Sequence, residues 1–185
     1  MKPAVITKEK ILQTSVKLVH EKGWEAFNIR TVAAACSVSV GSIYNYFPVK
    51  SDLAIETIQC IFQEIFPLSL ENPSFDDLPS CILWFYARLE YGETVYPGFF
   101  TSHSLLFMQE ERSDGQKYME QVFTNITCRL CVLIEREAVS HPSVFDASFT
   151  PEILACSLFS ILLSSLVRHD FSPAAALALI HKLFS

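Results

Sequence analysis

Between Val38 and Leu53 the chain reads V-S-V-G-S-I-Y-N-Y-F-P-V-K-S-D-L, and hydrogen-bonding side chains crowd into this short stretch. Ser42, Tyr44, Asn45 and Tyr46 bring neutral donors and acceptors, and Lys50 adds a cation just beyond them. Hydroxyl, amide and ammonium tips on the outside of one small helix suit a groove lined with phosphate oxygens and base edges. Catalysis has no comparable grouping. The sequence contains no glycine-rich phosphate loop, no H-E-x-x-H and no nucleophile elbow. His20, His103, His141, His169 and His181 stand apart, none with an evident nucleophile and carboxylate beside it. The chain is therefore read as a binding protein and not an enzyme, with no catalytic residue, metal ligand or cofactor expected.

Local signals fix the element that would carry those tips. Ser39 is suited to cap a helix, because its hydroxyl accepts from backbone N–H groups that have no partner within the first turn. Pro48 stops the helix by pushing the residue before it out of helical geometry. A helix from Val40 to Tyr46 results, too short to stand alone. Ile43 and Phe47 would turn inward to hold it. Two helices precede it. The first is capped by Thr7, carries Ile11, Leu12, Ser15, Leu18 and Val19 inward, and ends at Gly23 in a left-handed residue. Trp24 and Phe27 then anchor a loop, and Asn28 caps a second helix from Ile29 to Cys36. Within it the run Ala33-Ala34-Ala35 permits close approach of another helix. A turn at Cys36-Ser37-Val38, with Val38 as a plug, completes a helix-turn-helix.

Charge separates this head from the rest. The net charge is -6, yet residues 1–50 hold seven basic residues against three acidic ones, a charge of +4. The remainder holds seven basic against seventeen acidic, a charge of -10. Such polarity draws a polyanion to one end of the molecule. Half of the residues are hydrophobic and only 5 are glycine, which fits a packed helical protein rather than a linker. The six cysteines, Cys36, Cys60, Cys81, Cys128, Cys131 and Cys156, show no regular framework, and no secretory signal is visible, so a reducing cytoplasm is expected. Cys128 and Cys131 form a C-x-x-C pair without a second Cys or His pair nearby in sequence. They are read as buried apolar thiols, with a redox switch as the alternative.

From Thr7 to Leu53 the pattern resembles the DNA-binding domain of the TetR family of transcriptional regulators. The resemblance rests on the Gly23 turn, Val32-Ala33, Val38-Ser39, Gly41-Ser42-Ile43-Tyr44, Tyr46-Phe47, Lys50 and Leu53. Two positions depart from it: Ser37 stands where the tight turn usually has glycine, and Val40 where a basic residue is frequent. The resemblance implies that Val40, Ser42 and Asn45 face base edges, that Tyr44, Tyr46 and Lys50 hold phosphates, and that Asn28 and Arg30 touch the flanking backbone. Ser39 caps the reading helix, and Gly41 marks a close approach to DNA or to the first helix. For Tyr46 a packing role, and for Ser42 a plain surface role, stay open.

The remainder reads as further helices without strand periodicity, about nine helices in all. A long fourth helix from Ser51 to Phe66 stops at Pro67, and 68–78 is a loop. Helices follow from about Phe75 or Pro79 to Glu93, and at about 99–112 and 116–139, with Ser113-Asp114-Gly115 as a turn. From Ile153 to Val167 there is no charge; with so many serines and fewer than about 20 apolar residues, it is read as a helix buried on two sides and not as a membrane span. A last helix starts at Ser172-Pro173. The expected division is 1–50 for DNA binding and 51–185 for ligand binding and dimerisation. The resemblance implies a homodimer through residues 153–184, a near-palindromic double-stranded DNA operator, and repression relieved by a small-molecule effector. Phe62, Trp84, Arg88, Tyr91, Phe100, His103, Phe107, Tyr118 and Phe123 are the candidate ligand-binding residues and point to an apolar or aromatic molecule. The alternative is an all-helical small-molecule-binding or protein-interaction module whose specific DNA binding is weak or lost.

Overall fold

A computed structural model describes residues 6–67, 75–100 and 113–185, and these form helices and no strand. Among them are eight α-helices: α1 (Lys8–Lys22), α2 (Ile29–Ala35), α3 (Val40–Tyr44), α4 (Lys50–Ile65), α5 (Leu78–Val95), α6 (Ser113–Ser140), α7 (Pro151–Arg168) and α8 (Ala174–Leu183). Single 3-10 turns lie at Trp24–Ala26 and Pro142–Val144. Most of the loop expected over 68–78 and of the helix expected over 99–112 falls outside the described residues. Packing gathers the chain into two compact units. One comprises Met1–Pro67 and Tyr91–Gln116, the other Leu68–Glu90 and Lys117–Ser185.

In the first unit, Thr7 caps α1 by accepting from the Lys10 N–H at 3.2 Å. Ile11, Ser15, Leu18 and Val19 then fall on one buried face, as a period of 3.6 residues requires. Gly23 ends α1 with φ 75° and ψ 168°, and its N–H reaches the Val19 carbonyl at 2.8 Å. The sign of φ is as expected, but ψ places Gly23 in a region open essentially to glycine alone rather than in left-handed helical geometry. A Cβ there would also lie 3.0 Å from the Pro97 carbonyl oxygen, which accepts from the Trp24 N–H at 3.2 Å. Trp24 stacks on Phe27 with ring centroids 4.8 Å apart and meets the edge of Phe99 at 5.8 Å. The 96–100 segment is thus packed on the end of α1. Phe62 of α4 meets Phe99 and Phe100 edge-on at 5.3 and 6.2 Å. Ile11, Leu18, Val32, Ala33, Ile43, Phe47 and Leu53 form the core under the helix-turn-helix. Removing a buried ring such as that of Phe47 costs roughly 3–5 kcal/mol, so the short α3 is held by its core and not by its own hydrogen bonds.

In the second unit, Thr150 caps α7, its hydroxyl accepting from the Ile153 N–H at 3.4 Å, and Pro151 occupies the first helical position, where its missing N–H is harmless. Leu154, Ala155, Leu158, Leu162 and Leu166 are buried on one face. The opposite face leaves Ile153 43% and Val167 68% exposed. Among the described residues, burial on two sides is therefore not realised; one face of α7 is exposed. By length and composition alone α7 is apolar enough to cross a membrane, with 33% of it buried. Its serines bond back along the helix, Ser157 to the Ile153 carbonyl and Ser160 to the Cys156 carbonyl, both at 2.8 Å. Ser165 meets the Tyr86 hydroxyl at 3.0 Å. In α6, Val122, Ile126, Leu130, Leu133 and Ile134 are buried at helical period. Ser113-Asp114-Gly115, expected as a turn, forms the first turn of α6 instead, because Ser and Asp are favoured at helix starts as much as in turns. The cysteines correct a second expectation. All six are free, and only Cys81 is buried, its thiol pushed up to about 12 by desolvation. Of the pair expected to be buried, Cys128 is exposed and Cys131 half-buried, because they lie toward the outer side of α6; Cys156 on α7 is exposed as well.

Candidate nucleic-acid interface

The interface is built from α2, the turn after it, and α3. Asn28 starts α2 with a reciprocal cap. Its Oδ1 accepts from the N–H groups of Arg30 and Thr31, each at 3.0 Å, while the Thr31 hydroxyl oxygen accepts from the Asn28 N–H at 3.1 Å. The side-chain carbonyl of Asn28 is thus occupied in fixing the helix, whereas Arg30 is exposed on the first turn. Of the alanine run, Ala33 is buried in the core and Ala34 and Ala35 face outward. The close approach therefore uses Ala33 alone.

Ser37 takes φ 57° in the turn, the left-handed region where a glycine is usual. The fold keeps the standard turn and accepts the strain of a side chain there. The turn is closed by the Ser37 N–H to the Ala34 carbonyl and the Val38 N–H to the Ala33 carbonyl, both at 3.0 Å. Val38 is half-buried against the core, as a plug between two helices should be.

Ser39 caps α3, its hydroxyl oxygen accepting from the Ser42 N–H at 3.1 Å and lying 2.9 Å from the Ser42 hydroxyl. The helix ends at Tyr44, two residues earlier than the spacing suggests, with Asn45 as its C-cap in helical geometry. Ile43 and Phe47 are buried as expected. Val40 is half-buried and packs against the same core, which gives this position an internal reason to be apolar. Ser42 is half-buried and tied to Ser39. The outward face is made by Gly41, Tyr44 and Asn45, spaced one turn apart, with Tyr44 42% exposed. A Cβ on Gly41 would meet only the Ser39 hydroxyl oxygen, at an ordinary 3.6 Å. Among the described residues no collision with α1 is present, so that half of the close-approach expectation is corrected: no described neighbour requires glycine here.

Tyr46 is half-buried, and its hydroxyl donates to the carbonyl of Ile6. With its one proton so placed, Tyr46 braces the chain before α1 against the end of α3. Lys50 is the first residue of α4, where free backbone N–H groups make a helix start attractive to anions. Two other cations of the head have partners: Lys8 is 2.7 Å from Glu56 and 5.3 Å from the Phe47 ring centroid, and Lys17 is 3.6 Å from Glu21. Lys10, Lys22 and Arg30 are exposed.

Of the candidate ligand-binding residues, seven lie among the described residues, three in the first unit and four in the second. Phe62 and Phe100 are buried together in the first unit, where the Tyr91 hydroxyl donates to Glu64 at 3.2 Å. Trp84 packs on Phe75 and Phe85, and Phe123 on Phe159, in the second unit. Arg88 and Tyr118 are half-buried there. His103 and Phe107 lie outside the described residues.

Residues 11–57 match the family model of the bacterial regulatory proteins, tetR family. The chain is 32% identical over 73 residues, 39% of its own length, to an uncharacterized HTH-type transcriptional regulator, YuxN, of Bacillus subtilis. It is 34% identical over 58 residues, 31% of its length, to the HTH-type transcriptional repressor KstR of Rhodococcus jostii. To the HTH-type transcriptional regulator CymR of Pseudomonas putida it is 31% identical over 62 residues, 34% of its length. These matches span 25%, 27% and 30% of the relatives' own lengths, so the likeness is to one part of each. Residues 11–57, with their capped α2, left-handed turn and short α3, thus form a helix-turn-helix that matches the one described for bacterial regulatory proteins of the tetR family.

Proposed function

We propose that this chain is a DNA-binding transcriptional repressor that acts as a homodimer and is released from a near-palindromic operator by a small, apolar or aromatic effector. The observation that carries the reading is the outward face of α3, where Gly41, Tyr44 and Asn45 stand clear of the core on a helix capped at its start. Asn45, with Ser42 beside it, reads base edges. Tyr44, Lys50 and the N-terminus of α4 hold phosphates, and Arg30 with the first turn of α2 holds the flanking backbone. Residues 1–50 serve DNA binding, and 51–185 serve ligand binding and dimerisation. The open face of α7, with Ile153 and Val167, supports pairing with the same face of a second copy, which would set two reading heads against two half-sites. The protein works in the cytoplasm, where DNA is reached directly.

Selection of bound genomic fragments by the purified full-length chain, followed by anisotropy titration of the recovered sequence, tests the reading. Binding should be specific, should weaken steeply with salt, and should be lost when Tyr44→Ala and Lys50→Ala are combined. A folded dimer that retains no fragment above non-specific affinity would instead assign the chain to small-molecule or protein binding without DNA recognition.

A further inference from the structure

Away from the head, in the second unit, three ligand-type side chains converge from two helices. Cys131 and Glu135 lie one turn apart on α6, and Glu152 stands in the first turn of α7. The Cys131 Sγ and one carboxylate oxygen of each glutamate all lie within 4.8 Å of one another. The Cys131 thiol donates to Glu135 Oε1 at 3.7 Å. Among the described residues no lysine, arginine or histidine forms an ion pair with either carboxylate.

We propose that Cys131, Glu135 and Glu152 bind one divalent transition-metal ion of the zinc class, with water completing its coordination. The donor set selects the ion: a thiolate favours zinc, cobalt or cadmium over magnesium and calcium, which take oxygen ligands. Zinc bonds of about 2.3 Å to sulfur and 2.0–2.2 Å to oxygen put neighbouring donors of a tetrahedral site about 3.5 Å apart. A gap of up to 4.8 Å closes by small rotations of two exposed glutamates and a half-exposed cysteine. As the metal–sulfur bond forms, the S–H bond breaks and one proton passes to solvent. The ion would clip the end of α6 to the start of α7. Cys128 lies one turn earlier on α6, is exposed, and is outside the set.

Titration of the reduced full-length protein with cobalt(II) tests the site, since a thiolate–cobalt bond gives a charge-transfer band in the near ultraviolet that zinc should abolish by displacement. Cys131→Ser should remove the band, and Cys128→Ser should retain it. Glu135→Gln combined with Glu152→Gln should weaken cobalt binding at least tenfold while helical circular dichroism stays unchanged. The proposal is overturned if the native protein gives no band, if the band survives Cys131→Ser, if it is lost in Cys128→Ser, or if the double glutamine variant binds as the native protein does.

Discussion

Replacing Gly41 by alanine separates the needs of the fold from those of DNA. The glycine has no conformational reason to be where it is: its φ is that of an ordinary helical residue, and a methyl group would meet only the Ser39 hydroxyl oxygen at 3.6 Å. In a helix interior alanine is better than glycine by about 1 kcal/mol. At the second position of a five-residue helix roughly half of that, about 0.5 kcal/mol, should be realised. For a protein of this size that raises the melting temperature by about 1–2 °C. The effect on DNA should have the opposite sign. If the sugar-phosphate backbone lies against the Cα of Gly41, a methyl forces the surfaces apart and lengthens the hydrogen bonds made by Tyr44 and Asn45 on either side. Losing two such bonds at about 0.5–1.5 kcal/mol each weakens operator binding by roughly 5- to 150-fold. Anisotropy titrations at one fixed salt concentration, with selected and scrambled DNA, read the effect, and a thermal melt reads the fold. Operator affinity equal to that of the native protein would refute the idea that DNA comes close at Gly41. A lower melting temperature would refute the account of α3.

Two further substitutions test the physical account of the head. Ser37→Gly relieves a left-handed conformation that costs a non-glycine residue about 1–2 kcal/mol; after the added freedom of the unfolded chain is deducted, urea denaturation should show a gain of about 0.5–1 kcal/mol. A loss of stability would mean that the Ser37 side chain contributes something the turn geometry does not reveal. The Ser15 hydroxyl is buried with no hydrogen-bond partner among the described residues, so Ser15→Ala should stabilise by about 1 kcal/mol or more. A destabilised variant would imply a partner for that oxygen.

Elements with local causes were legible in the sequence, and juxtapositions made at long range were not. The caps at Thr7, Asn28 and Ser39 each act within three residues, so their positions could be read directly. The buried faces of α1 and α6 followed from helical period for the same reason. The outward face of α3 was harder to read, because one turn and a half of helix is too short for periodicity to orient. Val40 packs inward where a base contact was expected, and Gly41 comes to the fore. Tyr46 finds its partner in Ile6, forty residues earlier in the chain, and no local pattern announces such a contact. The same holds for Glu152. Cys131 and Glu135 share a helix face by spacing, but only the packing of α7 brings the second carboxylate to them.

The seat of the 96–100 segment on the end of α1 bears on how this protein can be recombined. Pro97 offers its carbonyl to Trp24, Gly23 leaves the space for that carbonyl, and Phe99 packs against the Trp24 ring. A chimaera that joined residues 1–50 to the body of a relative would carry Trp24 without Phe99 and would leave an aromatic surface looking for a mate. A graft that moved residues 1–67 together with 91–100 would take both halves of that contact. The transplantable piece is thus discontinuous in sequence, and moving the helix-turn-helix intact means moving two segments of chain.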